Sequence, residues 1–264
     1  MRITKHIAFF YLEDRIPYIN RILTETEKYK IPADVFIHTN SATLTPDTFI
    51  SYTNGVVRVI YHDLSNTNPH FLTWNCRDLM LEQKDEYDIF MYLEDDILVP
   101  ANAIDYWIKY SELLIPQNYN AGFLRIETNA CNREFITDLN WVKFDTLSKI
   151  GDEIFCINNK GPYCAFWIYD QKEFGRFVES DMYKYHRHGC EIRESAGFGL
   201  HGLTMNWYKN TVIPVSLCDG EIASYKLNEN CKIYHMSNNY VTNDHSGFAN
   251  IPFDAPFVDN ITWA

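Results

Sequence analysis

The chain has 264 residues, 46% hydrophobic and 22% charged, with 6 Trp, 18 Tyr and 17 Phe; this composition builds a core and excludes global disorder. A formal net charge of −12 offers no basic field to a phosphate backbone or an anionic bilayer, which argues against nucleic-acid binding. An anionic ligand must then be neutralised locally, by a few Arg or Lys side chains or by a bound cation.

The opening residues meet charge after a short apolar run and lack a small-residue cleavage site, so Lys5 to Leu12 reads as a first strand and not as a leader. Ile16, Ile19 and Leu23 follow at helical spacing. Ala33 to His38 and Gly55 to Tyr61 are β-rich runs bounded by turn formers. After Pro69, Leu72, Cys76, Leu79 and Met80 share a helical face, and Asp88 to Leu93 is an apolar run of the type buried on both faces of a parallel sheet. A further helix is expected over Asn102 to Ile115. This alternation predicts an α/β fold with a mostly parallel, Rossmann-like sheet flanked by helices.

Beyond Pro116 the pattern loosens. Ala121 to Glu127 and Tyr163 to Tyr169 read as strands, Asn129 to Gly161 as polar and irregular, and Lys232 to Tyr240 as a β-like run containing His235. Without a linker or repeat, we expect a single domain over 1–264, with 1–115 as one half and a less regular second half over 116–264. Seven cysteines, an odd number without a C-x-x-C pair, together with no apolar stretch of about 20 residues, lead us to expect no transmembrane segment and a cytoplasmic setting.

The chemistry-bearing feature is the end of the fourth predicted strand, Phe90-Met91-Tyr92-Leu93-Glu94-Asp95-Asp96. Three consecutive carboxylates repel one another unless a cation or solvent relieves them. In open α/β sheets the carboxyl ends of strands are where ligands bind. Extended geometry places Glu94 and Asp96 on one side and Asp95 on the other. Hard oxygen ligands suit Mn²⁺ or Mg²⁺ bridging a diphosphate. An acidic strand end, or acids favouring the dipole of the following helix, is the alternative reading.

These residues resemble the Glu-Asp-Asp form of the Asp-any-Asp (DxD) motif of GT-A glycosyltransferases, which use nucleotide-sugar donors. The resemblance implies a GT-A fold with a nucleotide-sugar-binding first half and an acceptor-binding second half. It implies Asp96 as metal ligand, with Glu94 and Asp95 beside it. It further implies donor contacts from Tyr11 at the end of the first strand, from Asn40 after the second, and from Arg77 on the helix before the motif. His235 looks like the C-terminal-region histidine that closes the metal site in such enzymes, with His186, His188, His201 and His245 as competitors. Glu194, or else Glu191, stands where many inverting members carry the base that deprotonates the acceptor hydroxyl.

The expected activity is therefore transfer of a hexosyl or pentosyl group from a UDP- or GDP-sugar to a hydroxyl of a glycan or glycoconjugate, with Mn²⁺ or Mg²⁺ as cofactor. A nucleotidyltransferase acting on a sugar phosphate is one alternative, although no Gly-rich phosphate loop is visible in Glu13-Asp14-Arg15-Ile16-Pro17. A catalytically silent glycan-binding protein is the other.

Overall fold

The computed structural model describes residues 1–185, 191–201, 209–218, 224–242 and 247–264. They form a mixed α/β structure of two compact units, Met1–Ala101 with Ala165–Leu200, and Asn102–Cys164 with His201–Ala264. Each unit takes two stretches of the chain, and Phe166–Asp170 returns to complete the first unit's sheet.

In the first unit, β1 (Ile3–Phe9), β2 (Ala33–Thr39), β3 (Val57–Tyr61) and β4 (Ile89–Glu94) are parallel. The sheet order is Phe166–Asp170, β4, β1, β2, β3, with the returning strand antiparallel to β4. Every residue of β1, β2 and β4 is buried, as expected where helices cover both faces. The first strand ends at Phe9, three residues earlier than predicted, and Phe10 and Leu12 are exposed.

The alternation of β1 assigns the two helix layers. Lys5 reaches Thr26 of α1 (Ile16–Thr26) and Tyr29 beyond it, with Nζ donating to Thr26 Oγ1 (2.7 Å) and Tyr29 OH (2.8 Å). Helix α1 buries Ile19, Ile22, Leu23 and Thr26, one stripe at helical spacing. Thr4 and His6 point to the other face, where both meet Gln83 just after α2 (Leu72–Glu82).

Three imidazoles cross that second face in a hydrogen-bonded row. His6 Nδ1 lies 2.8 Å from His38 Nε2, and His38 Nδ1 lies 2.8 Å from His62 Nε2, with the rings stacked. Gln83 Oε1, 3.0 Å from His6 Nε2 and also accepting from Thr4 Oγ1, can only accept a proton. That fixes the proton of each ring on Nε2: His6 donates to Gln83 Oε1, His38 to His6 Nδ1 and His62 to His38 Nδ1. Burial pushes His6 down to about 3 and His38 well below the usual imidazole range, so the row is neutral.

The second unit is mostly antiparallel. One sheet runs Ser224–Leu227, Asn210–Cys218, Glu153–Ile157, Phe144–Ile150, Phe257–Trp263, with Tyr119–Ala121 beside Asn210–Cys218. A second ladder joins Ile251–Pro252, Glu134–Ile136, Leu124–Thr128 and Lys232–His235. The stretch 129–161, expected to be irregular, contains three strands. Phe144–Ile150 and Glu153–Ile157 form a hairpin whose buried residues include Phe144, Leu147, Phe155 and Cys156; these fall on both faces, with polar residues between them, so neither face shows an apolar period. Arg125 and Asp138 form a two-pronged buried ion pair (Nη2–Oδ1 2.7 Å, Nε–Oδ2 3.0 Å) that ties the second ladder to the loop following it. Cys76, Cys131, Cys156, Cys164 and Cys231 are free thiols. Among the described residues no helix is long and apolar enough to cross a membrane.

Two predictions follow from the buried polar groups of β1. Burial lowers Lys5 to about 7, against an ordinary value near 10.5 in the unfolded chain. The unfolded state therefore binds more protons between those values, and stability rises with pH across that window. Thr26 and Tyr29 keep their own acceptors, Ile22 O and Val99 O, without Lys5. Lys5→Met is expected to stabilise the protein by roughly 1–3 kcal/mol near pH 7 and to flatten the rise above it, as measured by urea unfolding against pH. For the histidine row, ¹⁵N NMR at mildly acidic pH is expected to find His6 and His38 neutral with Nε2–H tautomers; an Nδ1–H signal from either overturns that assignment.

Candidate functional site

The acidic motif lies where β4 ends. Glu94 closes the strand, and Asp95 and Asp96 occupy the tight turn before Ile97. The turn breaks the alternation expected of an extended chain: Glu94 and Asp95 both line one pocket, and Asp95 and Asp96 share a single guanidinium. Glu94 N donates to the carbonyl of Ala165, a buried residue at φ 54°. The left-handed backbone of a non-glycine residue there marks the entry of the returning strand.

The pocket, of about 170 Å³, is formed within the first unit. Its apolar wall includes Phe10 and Leu12 from the loop after β1 and Leu72 from the start of α2. Its polar groups are Glu94, Asp95, Arg15, Arg193, His70 and Thr73. Arg15 Nη2 lies 2.6 Å from Asp96 Oδ2 and 3.2 Å from Asp95 Oδ1, and Arg193 Nε lies 3.3 Å from Glu94 Oε2. Burial, reinforced by Asp96, holds the Asp95 carboxyl well above the usual carboxylate range despite Arg15. Its Oδ2 is buried and has no hydrogen-bond partner among the described residues. Hard carboxylate oxygens, one of them buried and unsatisfied at a pocket wall, are a donor set that fits a divalent cation. Among the described residues no group of three or more His, Cys, Asp or Glu is already gathered as a metal cage.

The other expected site residues divide. Tyr11 and Asn40 are brought together: Asn40 Oδ1 accepts from Tyr11 N at 2.8 Å, which fixes the exit of β1, and the Tyr11 ring packs edge-on to Phe9. Arg77 is buried, and it is not among the pocket residues. Its Nη1 donates to the carbonyls of Met182 (2.8 Å) and Tyr183 (2.5 Å), its Nη2 to that of Ala196 (3.0 Å), and its guanidinium lies 3.9 Å from the Trp74 ring centroid. Those carbonyls belong to segments 182–183 and 196, so Arg77 fastens the region carrying Arg193 to α2.

Glu191 is the N-cap residue of the short helix Ile192–Ala196, where its carbonyl accepts from Ser195 N and Oγ. Glu194 lies within that helix, 3.8 Å from Arg193 Nη2 and partly exposed. Because Arg193 reaches Glu94, this helix is tied to the acidic pocket.

In the second unit His235 is buried at the end of its strand. Glu127, fully buried, places Oε1 2.5 Å from His235 Nδ1, while its Oε2 accepts from the amides of Tyr240 (2.9 Å) and Val241 (2.6 Å). Ser237 Oγ is 2.9 Å from His235 Nε2. The carboxylate thus orients the ring and holds the turn after it. His186, His188 and His245 lie outside the described residues.

Arg15, Arg193 and Glu127 were missed in the sequence. Arg15 stood in a stretch searched only for a glycine-rich loop, and Arg193 stood between the two acids that drew attention. For Glu127 the signal was an acid closing the predicted strand Ala121 to Glu127.

No family model matches the chain, and no curated protein matches it. Among solved structures it is similar to the crystal structure of S. aureus TarS 1-349, at 12% identity and a TM-score of 0.46, over 91% of this chain and 63% of that one. The chain therefore spans less than two thirds of that structure's length.

Proposed function

We propose that this chain is a metal-dependent glycosyltransferase that moves a sugar from a nucleoside-diphosphate donor, UDP- or GDP-linked, to a hydroxyl of a glycan or glycoconjugate. The observation that carries the reading is the pocket at the carboxyl end of a parallel sheet. It is walled by Glu94 and Asp95, has Asp96 in the same turn and Arg15 and Arg193 against the acids, and contains a buried unsatisfied carboxylate oxygen. Ligands of such sheets bind at this edge.

In this reading Asp96, with Glu94 and Asp95 beside it, holds Mn²⁺ or Mg²⁺. The cation's contribution is to stabilise negative charge on the departing nucleoside diphosphate. Phe10 and Leu12 offer an apolar wall to the donor, and Arg193 offers a positive group to its anionic part. The Tyr11–Asn40 bond holds the loop on which that wall stands. Glu194 is the proposed base, with Glu191 as the second choice. A carboxylate at this place takes the proton of the acceptor hydroxyl as its oxygen attacks the anomeric carbon. His235 is kept as a candidate cation ligand on the resemblance alone; its Nδ1 lies on Glu127 and its Nε2 on Ser237 Oγ.

Two measurements test the proposal. Calorimetry of UDP and GDP with and without Mn²⁺ is expected to show metal-dependent binding that Asp96→Asn removes; unchanged affinity in that variant overturns the metal assignment. Glu194→Gln is expected to retain donor binding and to lower transfer by on the order of 10²-fold or more. Full transfer by both Glu194→Gln and Glu191→Gln excludes the base assignment. Metal-dependent binding without transfer to any hydroxyl points to the silent, glycan-binding alternative.

A further inference from the structure

We infer that Arg15 is a resident counter-cation on the acidic turn, displaced from Asp96 by a divalent cation and then free to meet the anion that shares the pocket with it. This inference rests on the metal-dependent reading above.

The first ground is the contact itself. One nitrogen, Arg15 Nη2, lies 2.6 Å from Asp96 Oδ2 and 3.2 Å from Asp95 Oδ1, so Arg15 sits on the carboxylates a cation would use. A divalent ion and a guanidinium cannot both hold the same oxygen lone pairs at contact distance.

The second ground is how loosely the rest of the molecule holds Arg15. It ends the 3-10 turn Glu13–Arg15 and its backbone is the N-cap of α1, but that turn buries no residue and the Arg15 side chain makes no capping bond. The side chain is 21% exposed, and its further ring contact is the Tyr18 face at 5.8 Å. Arg77 is the contrast within the same unit: buried, bonded to three carbonyls and lying over three rings, it has no room to leave. Arg15 is held by the acids, and what the acids hold can be exchanged.

The third ground is charge. Among the described residues Arg15 is shared by Asp95 and Asp96, and Arg193 by Glu94 and Glu194. Asp95 Oδ2 is buried and has no hydrogen-bond partner among the described residues. A divalent ion supplies more positive charge than Arg15 does and satisfies that oxygen. Arg15 lines the pocket, so once released it stands where an incoming diphosphate brings negative charge. Metal binding and anion binding are then coupled through one side chain, and by linkage each strengthens the other.

The test uses the full chain near neutral pH. Mn²⁺ alone is titrated by electron paramagnetic resonance into the wild type, Arg15→Gln, Arg15→Ala and Asp96→Asn, with circular dichroism confirming the fold. Arg15→Gln keeps a hydrogen-bond donor for Asp96 where Arg15→Ala does not, so at least one folded variant is available. Both Arg15 variants are expected to bind Mn²⁺ roughly tenfold more tightly than the wild type, and Asp96→Asn to lose binding. Structural damage lowers metal affinity, so a rise separates this role from a merely structural one. Inorganic pyrophosphate titrated at saturating Mn²⁺ is expected to bind the Arg15 variants about tenfold more weakly. Unchanged or weaker Mn²⁺ binding in both, with Asp96→Asn still abolishing it, overturns the role of Arg15 and leaves the metal reading standing. No Mn²⁺ binding by any form overturns both, and unchanged pyrophosphate binding overturns the anion half alone.

Discussion

The constraint on which the first unit turns is the concentration of negative charge at the end of β4. A strand buried on both faces delivers Glu94, Asp95 and Asp96 into a turn where all three are largely buried. Buried carboxylates persist only where positive charge, hydrogen bonds or protonation compensate for lost water. Each remedy appears: Arg15 serves Asp95 and Asp96, Arg193 serves Glu94, and Asp95 is driven toward its neutral form.

The need for positive charge at that point explains parts of the fold that carry no chemistry themselves. Arg193 belongs to a helix of five residues, too short to hold its own position by backbone bonding. Arg77 from α2, Trp74 Nε1 on the carbonyl of Ile192 and Trp167 Nε1 on that of Ala196 hold it from outside. Gly199 then lets the chain pass over the returning strand: at φ 55° its absent Cβ would stand 2.2 Å from Tyr169 OH, which instead accepts from Leu200 N at 2.5 Å. The interior of α2 and the loop after the short helix thus serve to place one guanidinium.

Legibility in the sequence followed the physics of each signal. The strands and helices of residues 1–115 were readable because β1, β2 and β4 are apolar runs and α1 keeps a clean stripe, so local pattern and tertiary burial agree. The acidic motif was readable because three like charges in a row conflict with an apolar strand. The 144–157 hairpin was not, because Asp145, Thr146, Lys149 and Glu153 interrupt its buried positions without a period of two. The return of Phe166–Asp170 to β4 was equally hidden, since a strand carries no mark of which neighbour it pairs with. Arg77 resembled a phosphate contact, yet its environment of rings and carbonyls was decided by residues about a hundred positions away. Arg15 and Arg193 were invisible for the converse reason: a cation's partner is set by the fold, and only the surplus of acids at Glu94 to Asp96 announced that some cation had to come.

The unit treats charge in opposite ways at its two polar places, and the difference bears on function. Beneath the helices, Lys5 is pushed down toward neutrality and the row His6, His38, His62 shares protons fixed by Gln83, so the sheet interior is polar and nearly uncharged. At the carboxyl edge the side chains are ionisable groups in direct opposition, and Arg15 and Arg193 remain partly exposed. A neutral, fully bonded interior is rigid because each partner is committed. An opposed set of charges open to solvent can trade partners, since an arriving ion replaces one pairing with another at small net cost. The −12 of the whole chain repels free anions at long range, so an anionic ligand gains most by arriving with its own cation. In the proposed reading that pair meets the chain where it already keeps acids and guanidiniums in contact.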